Sequence, residues 1–118
     1  MPHCIIEHAS KIDGKTLMLL VFEAALASQL FEVDGSDIKV RALPYDDFIT
    51  GNSVLNFIHV TLKILSGRSA EQKLILSNLV LEKLKPHGIK GCAISVEIVD
   101  IARATYVKGS HLSEDNKV

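Results

Sequence analysis

The chain has no surplus of either charge. Thirteen Lys and Arg stand against 14 Asp and Glu, a formal net charge of −1, and the basic residues are scattered. A surface for nucleic acid or for an anionic membrane is therefore not indicated, because both need clustered cations. Cysteine is scarce as well. Cys4 and Cys92 are too far apart for a CxxC metal or redox pair and both lie in strand-like apolar runs, which points to buried thiols in a reducing compartment. The longest apolar stretch, Leu17 to Ala27, is broken by Glu23 and falls short of the roughly 20 residues a membrane helix needs. It reads as a core helix. No basic segment followed by an apolar run and a small-residue cleavage site opens the chain, so a signal peptide is not expected and the expected location is the cytoplasm. Glycine-rich phosphate loops, a nucleophile elbow and a Ser-His-Asp order are missing too. No cofactor is expected.

What is present is a chain of 118 residues, 47% hydrophobic, without low-complexity segments, long enough for one compact domain over residues 1–118 with a real core. Strand-like alternation from Pro2 to His8 leads through Asp13-Gly14 into a helix near Lys15 to Phe31, and Gly35-Ser36 introduces a second strand, Asp37 to Leu43. Turn formers then mark a connector over 44–53. The second unit, about 54–100, starts with alternation from Phe57 to Leu65, placing Ile58, Val60, Leu62 and Ile64 on one face and His59, Thr61 and Lys63 on the other. Ser69 and Gln72 have capping-box spacing, Leu76, Leu79, Val80 and Leu84 recur at helical spacing, and Pro86 and Gly88 mark the end. Ala93 to Val99 supplies a fourth strand. In the tail, 101–118, Lys108-Gly109 suggests a turn and Ser113 to Lys117 reads as frayed.

The two units, 2–43 and 54–100, align as a repeat. Pro2 pairs with Ile58, His3 with His59, Cys4 with Val60, and the step from Pro2 to Arg41 equals that from Ile58 to Glu97. The expected fold class is α+β (α/β), a tandem βαβ repeat whose four-stranded mixed sheet carries both helices on one face. Its other face, bare in a monomer, calls for burial against copies of the chain.

Pro2 is the residue with the most chemistry. Removal of Met1 would turn it into a secondary amine anchored at a strand start, a group that folding can hold neutral and that can take a proton from one atom and return it to another. Phe57 to Ser69, ending in Gly67-Arg68-Ser69 and followed by Ala70-Glu71-Gln72, together with Met1-Pro2-His3, resembles the 5-carboxymethyl-2-hydroxymuconate isomerases of the tautomerase superfamily over nearly the whole chain. The second unit, with its Ala102 to Gly109 region, also resembles the short-chain 4-oxalocrotonate tautomerases. The resemblance implies a trimer with sheets facing inward and a mature N-terminal proline acting as base. It implies Arg41 and Arg68 as carboxylate-binding residues and a small polycarboxylate enol as substrate; Lys39, on the same strand face as Arg41, is a weak second choice to it. Leu43 to Phe48 departs from the pattern.

Each residue has a plainer reading. Arg68 could be a solvated neighbour of a capping serine, and Arg41 with Lys39 a charged sheet edge or an intersubunit salt bridge to Glu7 or Glu97. Lys63 is expected to pair with Glu7. His3 and His59, without a third ligand, make a poor metal site and are expected to pack near the site, and His8, His87 and His111 form no constellation. Three functions follow: the isomerase, a related tautomerase acting on another enol or unsaturated acid, and a non-catalytic trimeric binding protein, whose mark would be loss of Arg41 or Arg68. Both arginines are present.

Overall fold

Alternation beginning at the second residue has a direct structural consequence. In the computed structural model, which describes residues 1–51, 56–88 and 91–110, β1 (Pro2–Ala9) starts at once and buries Pro2, Cys4, Ile6 and His8 while leaving the residues between them half-exposed. The chain continues as α1 (Gly14–Ala27), β2 (Lys39–Tyr45), β3 (Asn56–Leu65), α2 (Ala70–Leu84) and β4 (Cys92–Ile101), with 3-10 turns at Lys85–His87 and Arg103–Thr105. The strand order is β2-β1-β3-β4. Strands β1 and β2 are parallel, as are β3 and β4, and the units join through the antiparallel pair β1 and β3.

Ile58, Val60, Leu62 and Ile64 of β3 are buried beside Cys4 and Ile6 of β1. Against them pack Leu17, Val21, Ala24 and Ala25 of α1 and Leu76, Val80 and Leu84 of α2, each set at helical spacing. The helices also contact each other, so both lie on that one sheet face. Burying each such Leu, Ile or Val contributes about 1.5–3 kcal/mol. The repeat extends to backbone detail. Gly35 and Gly91, at equivalent places before β2 and β4, have φ of 74° and 75°. A Cβ on Gly35 would also come within 2.7 Å of Phe22, so glycine is needed there twice over. The N–H of Ser10 donates to the Tyr45 carbonyl at 2.9 Å, and that of Ser66 to the Ile101 carbonyl at the same distance.

Three expectations need correcting. Helix α1 ends at Ala27 rather than near Phe31, because the Ser28 hydroxyl bonds the Ala25 carbonyl and Gln29 turns to a φ of 61°, leaving the helical region. Strand β2 runs on to Tyr45, two residues into the expected connector, with Pro44 tolerated on an edge strand. Lys63 does not pair with Glu7. The antiparallel register sets Glu7 opposite His59 and Lys63 opposite His3, and the Glu7 carboxylate instead accepts the Tyr45 hydroxyl at 2.6 Å. Ser113 to Lys117, His111 and the end of the connector, 52–53, lie outside the described residues.

Candidate active site

The site is built where β1 begins, β3 ends and the chain leaves α1. Pro2 is fully buried and sits opposite Ile64 of β3, so the strand pairing pins the start of the chain in place. One residue earlier, the Met1 amine donates to Asp37 Oδ2 at 3.1 Å, while Asp37 Oδ1 accepts the Glu32 N–H at 3.1 Å. Burial pushes the Asp37 carboxyl upward, but the hydrogen bonds from the amine and from Glu32, with the charge of the amine, outweigh it and hold Asp37 below its ordinary value.

Two cavities meet at this point. The smaller, about 350 Å³, is lined by Met1, Phe31, Asp37, Leu65, Arg68 and Arg103. The larger, about 720 Å³, shares Met1, Asp37 and Leu65 and adds Lys39, Tyr106 and Lys108. Arg68 follows Gly67, whose φ of 121° turns the chain out of β3 into the Ser69 cap. Its guanidinium donates to the Leu30 carbonyl and lies 5.9 Å from the centre of the Phe31 ring. Arg103, just past β4, donates from Nε and Nη2 to the Ser66 carbonyl at 3.1 and 3.0 Å. That fork fixes it beside the Gly67 turn. Four cationic side chains, Lys39, Arg68, Arg103 and Lys108, thus face two carboxylates, Glu32 and Asp37, across the joined clefts, and such a surplus favours anions.

The residues singled out from the sequence do not all converge. Pro2, Arg68 and Lys39 surround the chain start, with Lys39 Nζ 3.7 Å from the Met1 sulfur. Arg41 lies on the sheet face away from the helices and lines neither cleft. Its Nη1 donates to His3 Nδ1 at 3.3 Å, which leaves His3 Nε2 to donate to the Tyr106 hydroxyl at 2.9 Å. Arg41 therefore reaches the larger cleft only through a relay that needs His3 neutral. Burial first, then the charges of Arg41, Lys39, the terminal amine and Lys63, push the His3 pKa below 6.5 and keep it so.

Asp37, Arg103 and Tyr106 carry no periodicity or motif of their own. The one sequence signal for the last two is the Ala102 to Gly109 stretch and its likeness to short-chain tautomerases. In the second unit, the position equivalent to Arg41 holds Glu97, whose carboxylate meets His59 Nε2 at 2.6 Å while His59 Nδ1 meets Ser95 Oγ at 2.7 Å. The equivalent of Arg68 is Ile12, buried in the core. Cys4 is inert: burial pushes its thiol up to about 12, against a smaller downward pull from Arg41.

Residues 2–115 match the family model described as 5-carboxymethyl-2-hydroxymuconate isomerase. No curated protein matches the chain in sequence. Among solved structures, a 5-carboxymethyl-2-hydroxymuconate isomerase from Deinococcus radiodurans R1 is 24% identical with a TM-score of 0.77, covering 93% of this chain and 90% of that one. A macrophage migration inhibitory factor-like protein from Entamoeba histolytica is 14% identical with a TM-score of 0.70, over 92% and 95% of the two chains. A wild-type fused 4-OT, described as a symmetric trimer, is 15% identical with a TM-score of 0.68, over 85% and 87%. The three share the fold of β1 to β4 with its two helices.

Proposed function

This chain belongs to the 5-carboxymethyl-2-hydroxymuconate isomerase family of tautomerase-fold isomerases, and from that premise we propose that, freed of Met1, it uses the Pro2 amine as general base to convert 5-carboxymethyl-2-hydroxymuconate to its 2-oxo isomer. The observation that carries this reading is a chain start pinned by strand pairing at the junction of two clefts with surplus positive charge. Neutral Pro2 nitrogen takes the enol proton, the electron pair moves through the conjugated chain, and the same nitrogen returns the proton to a distant carbon. An ordinary α-amino group titrates near 7.7 to 8.0. Burial of Pro2 and the guanidinium groups of Arg68 and Arg103 work to lower that value, because both disfavour the cation, while the Asp37 carboxylate pulls the other way.

Arg68 and Arg103 hold substrate carboxylates and favour the dienolate charge that develops in the transition state, with Lys39 as a further cation on the wall of the larger cleft. Asp37, left without the Met1 amine after processing, repels carboxylates from its own side and so orients the substrate toward the arginines. Arg41 acts through His3 and Tyr106 or across an interface between copies. We propose a homotrimer in the cytoplasm, taking neither nucleic acid nor membrane as partner, with the uncovered sheet face, where Leu43 and Val99 are exposed among charged residues, turned inward. Because Arg41 lines neither cleft, a related enol or unsaturated acid is the second reading of the substrate. Ultraviolet absorbance of candidate dienols, followed with protein whose intact mass shows Met1 gone, tests both. Turnover of the carboxymethyl-substituted muconate supports the first reading, turnover only of other enol acids supports the second, and no turnover of any overturns the enzyme assignment.

A further inference from the structure

Tyr106, just past the Arg103–Thr105 turn, is the one phenol among the described residues lining the larger cleft. The hydrogen bonds behind it run in a single sense. A guanidinium carries donors and no acceptor, so Arg41 Nη1 gives its hydrogen to His3 Nδ1 at 3.3 Å. A neutral imidazole whose Nδ1 accepts carries its proton on Nε2, and that N–H is donated to the Tyr106 oxygen at 2.9 Å. Strand pairing fixes the His3 backbone between Lys39 of β2 and Lys63 of β3. Burial first, and then the surrounding cations, keep its ring neutral. An edge-to-face contact, 6.1 Å between ring centres at 69°, holds His3 and Tyr106 together.

The consequence falls on the hydroxyl hydrogen. With the Tyr106 oxygen accepting from His3, its own hydrogen points away from His3, and no described residue accepts it. It is offered to whatever occupies the cleft. The second unit shows a chain of the same kind with the opposite outcome. Glu97 stands there in the place of Arg41 and His59 in that of His3, and the Glu97 carboxylate meets His59 Nε2 at 2.6 Å while Ser95 Oγ meets Nδ1 at 2.7 Å. A carboxylate only accepts, so that chain runs from Ser95 through His59 and ends on Glu97, presenting no donor. Exchanging an acid for an arginine reverses the chain and turns its end into a donor.

The joined clefts already hold cations for permanent anions. Arg68 and Arg103 line the smaller and Lys39 and Lys108 the larger, and ionised carboxylates go to such groups. A neutral donor suits a different atom, an oxygen that starts as an enol, carries charge midway and ends as a ketone. A hydrogen bond to it strengthens as the charge appears, so it lowers the barrier more than it tightens substrate binding. Resting on the isomerase reading above, we infer that Tyr106 donates its hydroxyl hydrogen to the C2 oxygen of the substrate, and that Arg41 and His3 are positioning residues that act by setting the direction of this bond. Tyr106 keeps its proton throughout. The enol O–H bond breaks toward the Pro2 nitrogen and the new C–H bond forms from the same nitrogen, so the proton balance is unchanged. Arg41, which lines neither cleft, needs no contact with substrate to act in this way.

The test uses the full chain with Met1 removed and two saturated diacids that lack the conjugated chain, 2-oxoadipate and adipate, which differ at the C2 oxygen alone. Calorimetric titration should show 2-oxoadipate bound about two- to tenfold more tightly than adipate, the range of one neutral hydrogen bond. Tyr106→Phe, which keeps a ring against His3, should erase that preference. Arg41→Ala should reduce it in the parent and change nothing further in the Tyr106→Phe background. With the dienol, Tyr106→Phe should lower kcat about 10-fold or more and leave KM within about twofold. No preference in the parent, a preference undiminished in Tyr106→Phe, or an Arg41→Ala loss of equal size in the Tyr106→Phe background would each overturn the inference, the last by making Arg41 a direct ligand. A processed protein that turns over no dienol yet keeps a Tyr106-dependent preference would remove the isomerase reading and uphold the hydroxyl as the ligand of the C2 oxygen, so the two failures are told apart.

Discussion

Pro2 and Ile58 occupy the same place in the two βαβ units. Both are buried, Pro2 at the start of β1 and Ile58 two residues into β3, each strand pairs in parallel with the last strand of its own unit, and the helix that follows each is capped by a side-chain oxygen, from Asp13 or from Ser69. Yet under the proposed function only Pro2 gains a basic nitrogen, by removal of Met1, whereas the nitrogen of Ile58 stays in a peptide bond between Phe57 and Ile58. Around Pro2, Arg68 comes from the second unit, Arg103 from the tail just past β4 and Asp37 from the first unit. At the mirrored end, the partners are a buried Ile12 and a His8 facing its own cavity. The duplicated scaffold thus makes two similar ends, and in the proposed mechanism removal of Met1 is what sets the Pro2 end apart.

The largest test of that asymmetry exchanges the two residues in question. Pro2→Ala in processed protein keeps a terminal amine but loses the ring that positions it, and should lower isomerisation about 100-fold, at the low end of what a positioned general base contributes, with the assembly unchanged by sedimentation. Ile58→Val should leave turnover intact and cost only about 0.5–1.5 kcal/mol of stability. Equal effects on turnover would erase the distinction. Next in size, Arg68→Ala and Arg103→Ala should each reduce kcat/KM for dicarboxylic substrates about 10- to 100-fold, the equivalent of one charge-assisted contact of about 1.5–3 kcal/mol. A monocarboxylic enol should lose less, and equal losses on both would assign the arginines to structure.

A pH test separates His3 from the rest of the sheet. Its folded pKa lies below 6.5, so between the two values the unfolded chain binds more protons than the folded one. The stability gained by keeping His3 neutral is fully present above about 6.5 and is lost as pH falls through the lowered folded value. Urea unfolding from pH 7.5 down to 5 should show that loss in the parent and a flatter profile in His3→Gln. Parallel profiles would remove the neutral relay between Arg41 and Tyr106. The smallest effect concerns what the units share: Ser69→Ala should cost about 1 kcal/mol, and Asp13→Ala should shift the unfolding midpoint in the same direction, without altering the substrate preference of either.

Much of this was legible in the residues, and the reasons differ from element to element. The strand from Phe57 to Leu65 and the Ser69 to Gln72 cap were readable because periodicity and capping are local properties, and the structure keeps both nearly to the residue. Pro2 and Arg68 became candidates through the family likeness. The end of α1 was not legible, since Ser28 and Gln29 break the helix through a hydroxyl bond and a left-handed turn that no spacing announces. Nor could Lys63 and Glu7 be separated without the register of β1 on β3. Asp37 and Arg103 escaped for the same reason. Each enters the site through a partner distant in sequence, the amine of Met1 for one and the carbonyl of Ser66 for the other.

The central claim is that a free Pro2 nitrogen performs the proton transfer, and it is tested most directly by assaying one protein in two forms, separated and verified by intact mass, with Met1 retained and with Met1 removed. Absorbance of the dienol should decay only with the processed form, because an amide nitrogen at Pro2 has no usable basicity. Equal rates from the two forms would contradict the account.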